Sequence, residues 1–172
     1  ELLAHLDFPL VLLKGAAYLA ADLPAASGRA IDAIDLLVPR ECVDKIEAIL
    51  KLADWHAADL PDYDLRYYRR WRHEAPLLQH LRCTTVVNVH HAILPDTARF
   101  SPDAASLRQR AVVVPDFPGM AVLSTEDRIL HAATLLFQDD KLPHGLRDLS
   151  DLDLLFRHAM NEEDFWSRLL TR

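Results

Sequence analysis

Leu10-Val11-Leu12-Leu13-Lys14-Gly15-Ala16-Ala17-Tyr18-Leu19-Ala20-Ala21-Asp22 is the stretch on which the fold turns. Four consecutive apolar residues bounded by a turn signal read as a short strand buried on both faces. The alanine-rich run after Gly15 reads as a helix, because alanine loses the least on entering one. A buried strand that passes through a glycine into a helix is an α/β signature.

Working outward, Pro24, Ser27 and Gly28 mark a loop, and Ile34-Asp35-Leu36-Leu37-Val38 follows as a second short strand. Pro39 sits where a first helical turn tolerates it, and Val43, Ile46, Ile49, Leu50 and Ala53 recur at helical spacing over 40–53. Trp71 to Gln79 and the β-branched run Thr84 to His90 read as extended segments joined through Leu81-Arg82-Cys83. Ala111-Val112-Val113-Val114 reads as an edge strand stopped by Pro115. Ser124, with Asp127 three residues on, reads as an N-cap opening a helix that buries Ile129, Leu130, Ala133, Leu136 and Phe137. Two further helices are predicted, over about 146–159 and around Phe165, Trp166, Leu169 and Leu170. The expected architecture is α/β (α+β): a small mixed sheet flanked by helices over residues 1–120, with a helical C-terminal portion over 121–172.

The composition suits this reading. The chain has 172 residues, 51% of them apolar and 26% charged, so a core is feasible without disulfides and a disordered or fibrous chain is excluded. Acids outnumber bases by 26 to 19, a net charge of −7, so the surface as a whole does not attract nucleic acid non-specifically. Lys14 and Asp22 interrupt the richest apolar run, so no membrane span is expected and the expected setting is cytoplasmic. Two cysteines, Cys42 and Cys83, are too few for a disulfide framework or a four-thiolate zinc site.

The motifs carry more than a fold. Leu12-Leu13-Lys14-Gly15-Ala16-Ala17, then Gly28-Arg29 and Ile34-Asp35-Leu36-Leu37-Val38, resemble the uncharacterised bacterial nucleotidyltransferase-like family of the polymerase-β superfamily. The resemblance continues through His73-Glu74-Ala75-Pro76-Leu77, Val86-Val87-Asn88-Val89-His90 and Val122-Leu123-Ser124-Thr125-Glu126-Asp127, in consistent order over about 10 to 158. It implies transfer of a nucleotidyl group from an NTP to an unknown acceptor. In an intact homologue, two Mg²⁺ ions orient in-line attack on the α-phosphate. It also implies roles for particular residues. Lys14 and Gly15 lie at the triphosphate turn, and Arg29 neutralises phosphate charge with its forked guanidinium. Asp35 is the catalytic acid and a metal ligand, and Asn88 and His90 line the nucleotide site.

Two positions depart from that pattern. The first acid of the family's Asp-x-Asp pair falls on Ala33, and the third carboxylate position falls on Asn88. Residues 33 and 35 of a strand share a face while Asp32 points away, so Asp32 replaces the missing metal ligand only if the strand bulges or starts late. Asn88 offers an acceptor oxygen without negative charge. The expectation is therefore little or no catalysis by this chain. The alternative is a catalytically dead nucleotide-binding or protein-interaction module, a pseudoenzyme or an antitoxin-like relative.

Three other features have bland readings. His73, His80, His90 and His91 lack the His-x3-His or Cys-x2-Cys spacing of a zinc site and read as hydrogen-bonded structural histidines, with His90 projecting beside Asn88. Arg66, Arg69, Arg70 and Arg72 interleave with Tyr67, Tyr68 and Trp71, a cationic patch suited to an acidic or nucleic-acid partner, or a sheet-edge segment paired with Asp59, Asp62 and Asp64. Asp148 and Asp151 share a helix face from which Asp153 lies apart, and the group reads as a solvated acidic face.

Overall fold

A computed structural model describes residues 3, 6–31, 33–57, 73–138 and 144–172. The expected stretch forms β1 (Leu10–Leu13), buried along its whole length, and runs without a break into α1 (Lys14–Ala20). A 3-10 turn at Pro24–Ala26 leads to β2 (Ala33–Leu37). A second such turn, Arg40–Cys42, opens α2 (Val43–Lys51), followed by β3 (Trp55–Ala57). Strands β4 (Leu78–His80) and β5 (Val86–His90) form the predicted hairpin. Then come α3 (Ala104–Gln109), β6 (Val112–Val113), β7 (Met120–Val122), α4 (Thr125–Gln138), α5 (Gly145–Ala159) and α6 (Phe165–Leu170).

Among the described residues the strands make one seven-stranded mixed sheet in the order β3-β4-β5-β2-β1-β7-β6. At its centre β2 pairs antiparallel with β1 and parallel with β5, and β1 pairs parallel with β7. Period-two alternation divides these strands between two cores. Leu10, Leu12, Leu36, Val87, Val89 and Val122 enter the larger core, beneath α1, α2, α4 and α5. Val11, Leu13, Leu37, Ala121 and Leu123 enter a smaller core with Ile93, Leu94 and Leu107 of α3. Asp35 lies two residues before Leu37 and shares that thinner side.

Several sequence expectations change on folding. The extended run ending at Gln79 contributes only β4 and a single bridge between Glu74 and His90, while Trp71 lies outside the described residues. Past residue 120 the chain was expected to be helical, yet β7 inserts beside β1. Met120-Ala121-Val122 is too short for alternation to show, and its pairing with β1 is a long-range event. Strand β3 and helix α3 also carried no readable period. The capping reading holds: Asp127 N–H donates to Ser124 Oγ at 3.3 Å, and Ser124 Oγ donates to Asp127 Oδ2 at 2.9 Å. No helix among the described residues is long and apolar enough to cross a membrane.

Candidate functional site

The register of β2 on β5 places Asp35 directly opposite Asn88, and Ala33 two residues earlier on the same face. Lys14 is the first residue of α1, directly after Leu13, which ends β1 and is paired with Asp35 from the other side. The three strands therefore bring Lys14, Asp35, Asn88 and His90 to one place. Asp35 Oδ1 accepts from Lys14 Nζ at 2.8 Å, from Asn88 Nδ2 at 3.2 Å and contacts His90 Nε2 at 2.8 Å. Burial by itself would raise the Asp35 carboxyl. The hydrogen bond from His90 and the Lys14 ammonium outweigh it and hold the group well below the usual carboxylate range. Asp35 is thus ionised, and His90 Nε2 carries the proton it donates.

The corner between β1 and α1 carries an unusual backbone conformation. The residue with left-handed backbone is Lys14, at φ 51°, whereas Gly15 is buried inside the first turn of α1. A lysine in this region stores about 1 kcal/mol of backbone strain. It comes with the Nζ of Lys14 on Asp35. Arg29 fills the space left by the absent Cβ of Gly15, its Nε 2.8 Å from where that Cβ would be.

Arg29 does not pair with Asp35, and its side chain is mostly buried. Its guanidinium pairs with Asp151 of α5, 122 residues away in sequence, and lies 5.6 Å from the centre of the Tyr18 ring. Asp151 is buried, which corrects the solvated acidic face expected for that helix; Asp153, by contrast, pairs with Arg157 at the surface. Burial, reinforced by Asp151, pushes the Tyr18 phenol up to about 12, so Tyr18 stays a neutral donor. Lys14, Arg29, Arg147, Asp148 and Asp151 all line one cavity of about 550 Å³ between α1, α4 and α5. Three cations around such a volume suit a polyphosphate, and the two aspartates occupy the same wall.

The sequence reading thus named four of the residues that meet at the β1–β2–β5 junction and placed Arg29 on the adjoining cavity. Asp32 and the basic segment 66–72 lie outside the described residues. Asp151, whose partner is distant in sequence, was read as solvated, and His131 of α4 was overlooked. His131 is buried, and burial, with the charge of Lys14, pushes its imidazole down to about 3. The cysteines are unremarkable: Cys42 is half-buried, Cys83 is exposed, and both are free thiols.

The chain belongs to the family described as uncharacterised nucleotidyltransferase, which matches residues 1–172. No curated protein matches it. Its fold is similar to that of the antibiotic-resistance factor ANT(2'')-Ia. A solution structure of that protein superposes with a TM-score of 0.58 at 16% identity, over 96% of this chain and 82% of the other. A crystal structure of ANT(2'')-Ia in complex with adenylyl-2''-tobramycin gives a TM-score of 0.57 at 16% identity, over 96% and 89%.

Proposed function

We propose that this protein binds a nucleoside triphosphate in the cavity beside Lys14 and Arg29 and, in its present form, transfers little or none of it. The observation that carries this reading is the state of Asp35. Its Oδ1 is already neutralised by an ammonium at 2.8 Å and capped by the amide nitrogen of Asn88 at 3.2 Å.

The two Mg²⁺ ions implied by the family do not fit these residues. Mg²⁺ favours carboxylate and water oxygens. Along the paired faces of β2 and β5 the described residues offer Asp35 alone, with a methyl group at Ala33 and a hydrogen-bond donor aimed inward from Asn88. No step is therefore assigned to a metal at this junction. What the chain's own residues do is bind. Lys14 and Arg29 exchange their present carboxylate partners, Asp35 and Asp151, for phosphate oxygens, and Arg147 adds a third cation from α5. The acceptor hydroxyl class stays open, but the adenylylated tobramycin held by ANT(2'')-Ia makes ATP the first nucleotide to test.

Calorimetric titration with each of the four NTPs, with and without Mg²⁺, tests the binding half. Pyrophosphate release by the unaltered chain and by an Ala33→Asp/Asn88→Asp double variant tests the rest. Nucleotide binding without turnover, and turnover gained in the double variant, are the expected results. Heat-silent titrations with every nucleotide refute the binding site. Sustained Mg²⁺-dependent pyrophosphate release by the unaltered chain refutes the dormant state.

A further inference from the structure

The far side of His90 poses a separate question. His90 Nε2 donates to Asp35, so in a neutral ring Nδ1 carries the lone pair. That atom faces Glu74 Oε2 at 3.5 Å, and the His90 side chain is only 3% exposed. Either a proton on Nδ1 or a metal ion between the two atoms satisfies this contact. His73 lies against the same pair, its ring 5.6 Å from that of His90 and within 26° of parallel. One ligand atom from each of His73, Glu74 and His90 lies within 4.8 Å of the others.

We infer that His73, Glu74 and His90 bind one late first-row transition ion of the Zn²⁺ or Co²⁺ class, with Asp35 as the carboxylate that orients His90. Two imidazoles and one carboxylate are the donor set these ions take, with a water or exogenous ligand in the fourth position. Bond lengths near 2.0–2.1 Å set tetrahedral ligand atoms about 3.3 Å apart, so the Glu74–His90 pair is already at spacing and small side-chain rotations close the rest. The backbone beneath is tied together: Ala75 N–H donates to Val89 O at 2.7 Å and His91 N–H to His73 O at 2.9 Å, on either side of the Glu74–His90 bridge. An ionised carboxylate behind a ligating histidine is the usual device for fixing its tautomer and raising its basicity. Access exists from two directions. His73 lines the 550 Å³ cavity, and Glu74 lines a second cavity of about 200 Å³ together with Glu47 and Asp44. The site uses imidazole nitrogens and so differs from the oxygen-only Mg²⁺ pair, and it does not rest on the nucleotide reading.

Titrating Co²⁺ into the metal-stripped full chain, with no nucleotide present, reads the site directly. The expected result is one equivalent bound with the visible absorption of a tetrahedral nitrogen–oxygen centre, displaced by Zn²⁺ but not by excess Mg²⁺. His73→Ala and Glu74→Ala each weaken binding at least tenfold, Asp35→Asn weakens it about 10–100-fold, and His80→Ala on β4 leaves it unchanged. A measurement without variants guards against loss of fold: histidine ¹⁵N spectra of the unaltered chain, with added Zn²⁺, shift at His73 and His90 and not at His80. Absence of stoichiometric binding, binding equal to that of the unaltered chain in both ligand variants, or unshifted His73 and His90 signals overturns the proposal. Because no nucleotide is used, these outcomes are independent of whether the cavity binds an NTP.

Discussion

Replacing Gly15 by alanine sets two physical effects against each other. Helix propensity favours alanine by about 1 kcal/mol at an interior position, and by less near an end. The new Cβ, however, would lie 2.8 Å from Arg29 Nε, 3.3 Å from Arg29 Cζ and 3.1 Å from Ile31 Cδ1. The 2.8 Å contact is closer than a carbon tolerates, so the Arg29 side chain has to move. Its guanidinium is not a free end: it is paired with Asp151, and the two side chains are only 15% and 12% exposed. A hydrogen bond between charged groups contributes about 1.5–3 kcal/mol, and stranding one partner of a buried pair costs more. The net expectation for Gly15→Ala is a loss of about 1–3 kcal/mol, or roughly 2–10 °C in melting temperature for a chain of this length. Denaturant unfolding measures it, and a double-mutant cycle with Asp151→Asn isolates the cause, because the cost of Gly15→Ala shrinks once the pair is already weakened. Gly28→Ala is the contrast. Gly28 has φ +68° and nothing within 4 Å of its missing Cβ, so it costs about 1 kcal/mol from backbone strain alone and is insensitive to residue 151. A Gly15→Ala variant as stable as the unaltered chain would refute the argument that Arg29 occupies that space.

Three further outcomes are expected. Asn88→Asp converts a 3.2 Å donor–acceptor contact on Asp35 into facing carboxylates, which lowers stability on the order of 2 kcal/mol in chelator; added Mg²⁺ restores the melting temperature, and indifference to Mg²⁺ would count against the geometry at residues 35 and 88. The His131 imidazole is lowered from 6.5 to about 3 on folding, so between those values the unfolded chain binds the extra proton and stability falls as the solution is acidified, by about 3 kcal/mol near pH 4.5; above 6.5 the group contributes no pH dependence, and His131→Gln flattens the acid limb of a stability–pH profile. Phe165, 1% exposed and edge-on to Phe156 at 6.3 Å and to Trp166 at 5.1 Å, anchors α6 on α5; Phe165→Ala costs about 3–5 kcal/mol in equilibrium unfolding, and a smaller effect would mean that α6 contributes little to the cooperative core.

The legibility of this chain follows the range of the interactions involved. Leu10–Leu13 and the turn into α1 are written in adjacent residues, because a strand buried on both faces must be continuously apolar and its exit needs a corner. The helices after Ser124 are equally local, since a 3.6-residue period and an N-cap repeat within a few turns. Alternation also placed Ala33 with Asp35, and Asn88 with His90, on common faces before any pairing of the strands was known. Even the gap in the acid set was visible as Ala33 and Asn88.

Contacts across the fold were not written locally. That β2 registers Asp35 between Asn88 and Leu13, within reach of Lys14, that β7 enters the sheet, and that Asp151 leaves its expected solvated face to meet Arg29 depend on which strands and helices become neighbours. The same holds for His73, Glu74 and His90: their spacing matches no metal-ligand pattern, because a bridge between two separate segments brings them together. Local composition decides which elements form and which face each residue takes. Burial, charge pairing and the chemistry of the cleft arise only when segments tens of residues apart exclude water from between them, since an ion pair or a ligand set has no preferred partner until the surrounding solvent is gone.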